Sequence, residues 1–110
     1  MSEMKRLGVL EVKAALDGGW KPYWIDCRKQ PEWDRAKLPQ VDLFLPHEQI
    51  IAQGIGDLPK DQPILVQCRS GGRSGMAGAA LIAMGYTDVT NLEGGLLDWK
   101  AKIDPSLDVT

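Results

Sequence analysis

The residues best suited to chemistry in this sequence surround Cys68, which ends a short apolar segment. Residues 64–67 read ILVQ, which is typical of a buried strand, and residues 69–74 read RSGGRS before a helix begins. The nucleophilic form of cysteine is the thiolate. The segment therefore places a candidate nucleophile where a strand gives way to a helix.

The composition of the turn favours an anion. Gly71 and Gly72 permit positive φ, so that successive N–H groups can point inward. The helix that begins near Ser74 adds free N–H donors and the positive end of its dipole. Arg69 and Arg73 add positive charge. We expect a low thiol pKa here, and a cradle for a persulfide or for an oxyanion such as thiosulfate.

A less reactive interpretation is that Cys68 is a small buried apolar residue and that its glycines only form a turn. We favour the reactive interpretation, because glycines, arginines and a helix start all follow the cysteine within six residues.

Composition excludes other kinds of site. Two cysteines and one histidine are too few for a structural zinc site, and a lone histidine disfavours a Ser-His-Asp triad. That histidine, His47, follows Pro46 near a helix start and is interpreted as a surface or capping residue. With 13 basic and 15 acidic residues, the net charge of -2 gives no reason to expect nucleic acid or an anionic membrane as partner.

The elements that must position Cys68 alternate between strand and helix. The patterns predict strands over 23–27, 41–45, 64–67 and 88–91, and helices over 9–17, 30–37, 46–53, 74–84 and 96–102. This alternation predicts an α/β fold with a mainly parallel sheet, in which active sites form beyond the carboxyl ends of the strands. The 110 residues are expected to form one domain over 1–110. The sequence shows no signal peptide and no run long enough to span a bilayer, so we expect a cytoplasmic protein.

Three segments resemble the rhodanese family. Residues 68–74 (CRSGGRS) are similar to the family's active-site loop, with the first residue at the nucleophile position. Residues 26–28 (DCR) resemble its Asp-x-Arg motif, and residues 32–33 (EW) the acidic-aromatic pair that follows. Residues 91–95 (NLEGG), with Trp99 four positions on, resemble its C-terminal Gly-Gly…Trp signature. One segment departs: residues 36–41 (AKLPQV) replace the Gly-His-Ile-Pro-Gly-Ala of many members, which leaves the sulfur chemistry plausible.

The resemblance implies a rhodanese-like three-layer sandwich, with a central, mostly parallel five-stranded sheet and helices on both faces. It implies a cycle in which the Cys68 thiolate attacks a sulfane sulfur donor, becomes a persulfide and passes the outer sulfur to an acceptor. It implies no cofactor and no metal. By resemblance, the substrate-binding residues are Arg69, Ser70, Gly71, Gly72, Arg73 and Ser74.

The Asp-x-Arg motif at residues 26–28 leaves two interpretations open for each of its residues. Asp26 and Arg28 alternate with Cys27 and point to one side of their strand, where they either support the active-site loop or form a structural ion pair with Glu32. We favour the structural role. Cys27 is either a second redox thiol that resolves a disulfide with Cys68 or a buried strand residue, and we favour the latter.

Two other functions compete with sulfur transfer. Phosphatases and arsenate reductases of related folds have five residues between the cysteine and the arginine of their loop, whereas four separate Cys68 from Arg73. A shorter loop suits one extra sulfur atom better than a phosphate ester. A non-catalytic interaction module is disfavoured because the nucleophile is retained.

The C-terminal residues are informative about the sulfur donor and acceptor of the protein. Residues 99–109 (WKAKIDPSLDV) resemble the tail of rhodanese domains fused behind adenylyltransferases, which deliver sulfur to a small ubiquitin-like carrier. The implied partners are a small-molecule or protein-bound sulfur donor and, as acceptor, a thiol, cyanide in an assay, or such a carrier. Because the chain starts at Met1 without an adenylyltransferase domain, a stand-alone protein is expected.

Overall fold

A computed structural model describes residues 3–109 and shows strands and helices in alternation. The elements are β1 (Lys5–Gly8), α1 (Val9–Asp17), β2 (Tyr23–Asp26), α2 (Gln30–Arg35), β3 (Leu43–Phe44), α3 (His47–Gln53), β4 (Ile64–Gln67), α4 (Gly72–Ala83), β5 (Val89–Glu93) and α5 (Gly95–Lys102). Within the described residues, no helix combines the length and the apolar character needed to cross a bilayer.

The five strands form one parallel sheet in the order β1-β5-β4-β2-β3. The predicted α/β fold with a five-stranded parallel sheet is therefore confirmed. All four residues of β4 are buried, as expected for the central strand of a sheet covered on both faces. The carboxyl ends of the five strands meet at one edge, where the predicted nucleophile lies.

Each face of the sheet carries its own hydrophobic core. Ile64 and Val66 of β4 pack with residues of α3 and α4, whereas Leu65 packs on the other face with residues of α1 and α5. This division follows from the period of two along a strand. On the second face, the rings of Trp24 and Trp99 meet edge to face with centroids 5.7 Å apart. Helices thus cover both faces, and the strand ends between them are held rigidly.

The sequence patterns missed β1 and misplaced several boundaries. The segment Lys5–Gly8 is a half-exposed edge strand that pairs with β5, so it lacks the apolar run by which buried strands are recognised. The predicted strand over 41–45 shortens to Leu43–Phe44. The predicted helix over 74–84 begins two residues earlier, at Gly72, because Gly71 in a left-handed conformation starts it. These shifts leave the order of the elements unchanged.

Candidate active site

Cys68 follows β4 directly and lies at the carboxyl edge of the sheet. The residue is 1% exposed and belongs to the core between the sheet and α4. Its backbone carbonyl accepts a hydrogen bond from the N–H of Leu96 at 3.0 Å, and the carbonyl of Arg69 accepts one from Leu97 at 3.0 Å. The start of α5 therefore fixes the backbone on which the sulfur is mounted.

Two N–H donors and a hydroxyl from the following turn surround the sulfur of Cys68. The N–H of Gly71 lies 3.1 Å from Sγ, and the N–H and the hydroxyl of Ser74 each lie 3.4 Å from it. Gly71 has φ +105, a conformation that side chains other than glycine rarely adopt. The turn and the first residues of α4 thus direct their free donors to one anionic position.

The pKa of Cys68 is lowered to about 4. The largest cause is a hydrogen bond with the Cys27 thiol; burial opposes it by raising the pKa, and the hydroxyl and N–H of Ser74 and the N–H of Gly71 lower it further. A thiol with such a pKa is a thiolate at neutral pH, which is the reactive form.

Cys27 is the second cysteine near this site. It is fully buried, and its N–H donates to the carbonyl of Gln67, the residue before Cys68, at 2.9 Å. The pKa of the Cys27 thiol is raised strongly, first by the hydrogen bond to Cys68 and then by burial. Cys27 therefore keeps its proton while Cys68 gives its own up.

Arg73 is held away from open solvent by Glu32 of α2. Its two terminal nitrogens lie 2.6 and 2.9 Å from the two carboxylate oxygens. This pairing lowers the pKa of Glu32 to about 2, against burial, which raises it. The pKa of Arg73 is raised, mainly by Glu32, with a smaller contribution from the charge of Cys68. The positive charge of Arg73, which also interacts with the Cys68 thiolate, is therefore partly balanced by the Glu32 carboxylate.

The remaining loop residues differ in exposure and backbone geometry. Arg69 is half-buried, and Ser70 and Gly72 are exposed. The expectation of positive φ at both glycines holds for Gly71 but is wrong for Gly72. Gly72 is the first residue of α4 and adopts helical backbone geometry, because one left-handed residue is enough to turn the chain into the helix.

Asp26 and Arg28 form a buried ion pair with each other. Nε of Arg28 lies 3.0 Å from both carboxylate oxygens, and Nη2 lies 2.7 Å from Oδ2. The proposed ion pair of these residues with Glu32 is wrong: Arg28 reaches only the backbone carbonyl of Glu32, at 3.3 Å, because the Glu32 carboxylate is taken by Arg73.

This ion pair belongs to a buried polar network, separate from the sulfurs. Gln67 donates to Asp26 at 3.2 Å and accepts from the indole of Trp24 at 2.7 Å. Arg28 also donates to the carbonyl of Ala36 at 2.7 Å. Every polar group of the pair has a partner, as buried charges require. The network anchors the loop after β2 and makes no hydrogen bond to the Cys68 sulfur.

Sequence reasoning missed the role of Asn91, a β5 residue whose side chain holds the turn after Cys68 in place. Asn91 is fully buried; its Oδ1 accepts a hydrogen bond from the Ser74 hydroxyl, and its Nδ2 donates to the carbonyl of Gly71 at 3.2 Å. An amide inside an otherwise buried strand is the signal that could have drawn attention to it. Asn91 thus holds both residues that donate to the sulfur.

Gly95 explains the second glycine of the Gly-Gly…Trp signature. Its φ is +58, and a Cβ at this position would lie 2.6 Å from the carbonyl carbon and oxygen of Arg69 and from the carbonyl oxygen of Cys68. Only glycine allows α5 to approach the active-site turn so closely.

His47 begins α3 at the same edge of the sheet. The residue is half-buried, and its backbone N–H donates to the carbonyl of Cys27 at 3.0 Å. Its Nδ1 is buried and has no hydrogen-bond partner among the described residues. No sequence pattern places His47 near this edge, because its position depends on how β3 pairs with β2.

Several known proteins are similar to this chain. The family described as Rhodanese-like domain matches residues 9–102. The probable adenylyltransferase/sulfurtransferase MoeZ of Mycobacterium tuberculosis is 33% identical over 97 residues, which are 88% of this chain and 25% of that protein. The chain therefore spans about a quarter of the length of this relative.

A second relative and a solved structure are similar over more of their length. A sulfurtransferase of Allochromatium vinosum is 37% identical over 75 residues, which are 68% of each protein. The crystal structure of a rhodanese-like domain protein from Staphylococcus aureus has a TM-score of 0.77 and 25% identity, and the match covers 97% of this chain and 99% of that one.

Proposed function

The chain belongs to the rhodanese-like domain family, and from that membership we propose that it is a sulfurtransferase that carries sulfane sulfur as a persulfide on Cys68. The observation that carries this proposal is the convergence of the Gly71 and Ser74 N–H groups, with the Ser74 hydroxyl beside them, on the sulfur of a cysteine whose pKa is low. The same donors would stabilise any anion that replaces the thiolate there.

The first step loads the sulfur. The Cys68 thiolate attacks the sulfane sulfur of a donor such as thiosulfate, a new S–S bond forms, and sulfite leaves with the electron pair of the broken bond. The chain supplies a nucleophile that is already deprotonated, so no general base is needed. Arg69, which lies beside Cys68 in the sequence and is half-buried, is the residue we assign to the anionic donor.

The second step unloads it. A thiophilic nucleophile, either a thiol or cyanide in an assay, attacks the outer sulfur, and Cys68 leaves as the thiolate. The low pKa of Cys68 favours this step as well, because a weakly basic thiolate is a good leaving group. Two easier transfers thus replace one difficult one.

The natural acceptor is a further part of the proposal. Relatives named as adenylyltransferase/sulfurtransferase support an acceptor in the form of a ubiquitin-like sulfur-carrier protein, with small thiols as the alternative. A sequence with only two cysteines has no disulfide framework and fits a reducing compartment, so we propose that the protein acts in the cytoplasm. Its 110 residues are proposed to act as one domain.

The test is the formation of thiocyanate from thiosulfate and cyanide. We expect the native chain to turn over and Cys68→Ser, which keeps nearly the same shape, to fall to the uncatalysed rate. Circular dichroism of the variant shows whether the fold is retained. A folded Cys68→Ser chain that still forms thiocyanate at the native rate contradicts the proposal.

A further inference from the structure

Cys27 and Cys68 follow neighbouring strands in register. Parallel strands β2 and β4 pair Asp26 with Gln67, and each cysteine is the next residue along its strand. The hydrogen bond from Cys27 N–H to the Gln67 carbonyl, 2.9 Å, continues the ladder to this position. Neighbouring strands lie about 4.8 Å apart. That spacing falls within the Cα separation of about 4.4–6.8 Å that a disulfide spans.

The two side chains also point to the same face of the sheet. Cys27 and Cys68 belong to one core together with Ile25 and Val66, whereas Trp24 and Leu65 of the same strands belong to the other core. The two thiols shift each other's pKa, which is lowered for Cys68 and raised for Cys27, as expected of neighbouring sulfurs. The Cys27 side chain therefore lies beside Cys68 on one face of the sheet.

The cycle proposed above uses only the Cys68 thiol and assigns no role to Cys27. We propose that Cys27 resolves the Cys68 persulfide: its sulfur attacks the inner persulfide sulfur, forms a Cys27–Cys68 disulfide and expels the outer sulfur as hydrosulfide. This inference rests on the proposed function, because it needs the persulfide. It adds a second activity to the same site, the reductive release of sulfide.

The atoms and electrons of this step balance. The bond that forms joins the two cysteine sulfurs, and the bond that breaks joins the Cys68 sulfur to the outer sulfur, which departs with the electron pair and takes the proton of Cys27. The Cys27 sulfur is oxidised and the outer sulfur is reduced, so no added oxidant is required. An external dithiol must reduce the disulfide before the next round.

The surroundings suit such a step. The donors of Gly71 and Ser74 reach the Cys68 sulfur from the loop, whereas Cys27 reaches it from the neighbouring strand. The loop donors and Cys27 therefore approach the Cys68 sulfur from different elements of the fold. Because Cys27 is protonated and fully buried, the step competes only when no acceptor takes the outer sulfur first.

The test is an anaerobic incubation of the reduced native chain with thiosulfate and no added thiol, followed by intact mass and sulfide measurement. We expect the native chain to lose about 2 Da and to release about one sulfide per chain. A native sample without thiosulfate keeps its mass, which excludes adventitious oxidation. The disulfide is located by a linked peptide pair that contains Cys27 and Cys68.

The matched variant is Cys27→Ser, which keeps a hydrogen-bond donor beside Cys68. We expect it to gain about 32 Da, to hold that sulfur and to release no sulfide. Cys27→Ala serves the same purpose if the serine variant does not fold. A native chain that holds the added sulfur and releases no sulfide overturns the inference and leaves the proposed function intact. Folded Cys27 variants that gain no sulfur overturn both.

Discussion

Glu32 and Arg73 form a two-point ion pair that joins α2 to the first turn of α4. The nitrogen–oxygen distances are 2.6 and 2.9 Å, and the two side chains are only 21% and 25% exposed. Such paired, partly buried contacts are stronger than exposed ion pairs. The pair therefore secures the helix that presents Ser74 to the active-site sulfur.

Replacement of Glu32 by Gln should destabilise the fold. The neutral amide can accept only one of the two hydrogen bonds, and it leaves Arg73 without a counter-charge, so we expect a loss of about 1–2 kcal/mol at neutral pH. Urea unfolding of both chains measures this. A variant as stable as the native chain would show that the ion pair contributes nothing.

The same pair should make stability depend on acid. The pKa of Glu32 in the fold is about 2, below its ordinary 4.5, so its contribution is present above pH 4.5 and is lost as the pH falls towards 2. The difference in unfolding free energy between the native chain and Glu32→Gln should therefore be constant near neutral pH. It should shrink as the pH falls from 4.5 towards 2. A difference that persists unchanged down to pH 2 would contradict the assignment.

Cys68 should be a thiolate across the neutral range. With a pKa of about 4, its ultraviolet thiolate absorbance in the native chain should not change between about pH 6 and pH 8, because the raised pKa of Cys27 keeps that thiol protonated over this range. Ser74→Ala removes one hydrogen bond to the sulfur and should raise the pKa. An absorbance that rises steadily above neutral pH, as for an ordinary thiol, would refute the low pKa.

Asn91 should act as a positioning residue. Asn91→Ala removes its hydrogen bonds to Ser74 and Gly71, so the Gly71 carbonyl keeps only the bond from Gly75 and the Ser74 hydroxyl only its contact with the sulfur, for an expected loss of about 1–2 kcal/mol in stability. The misplaced donors should also raise the pKa of Cys68. If unfolding changes but the thiolate titration does not, Asn91 has only a structural role.

Gly95 should tolerate no side chain. Gly95→Ala brings a Cβ against the backbone of Arg69 and Cys68, which cannot move without displacing the sulfur, so we expect a loss of at least about 2 kcal/mol and a marked fall in thiocyanate formation. The control is Gly72→Ala, where a Cβ meets no atom within 4 Å and stability should change by less than about 0.5 kcal/mol. Equal stability of the two variants would contradict the close approach of α5.

The sequence predicted the parts of this molecule that depend on local patterns. The apolar run of β4 and the glycine-containing turn after it are each encoded within a few residues. The sequence did not predict β1, because the pairing of an edge strand with β5 leaves no apolar pattern. The two ends of the Glu32–Arg73 pair are 41 positions apart. Such contacts depend on the packing of whole elements, which no local pattern specifies.

The roles of the two cysteines show the same division. The turn after Cys68 indicates a reactive thiol by its composition alone. From the sequence, the contact with Cys27 is only one of two interpretations, because it depends on the register of β2 against β4. The local pattern around Cys68 therefore does not include the group that lowers its pKa most.

The central claim is that Cys68 carries the transferred sulfur, and the most direct test is the intact mass of the folded Cys27→Ser chain after incubation with thiosulfate. In this chain Cys68 is the only thiol. The account predicts a gain of about 32 Da that cyanide removes as thiocyanate, and no gain in a chain that also carries Cys68→Ser. A folded chain that gains no sulfur from thiosulfate or from a small-molecule persulfide would contradict it.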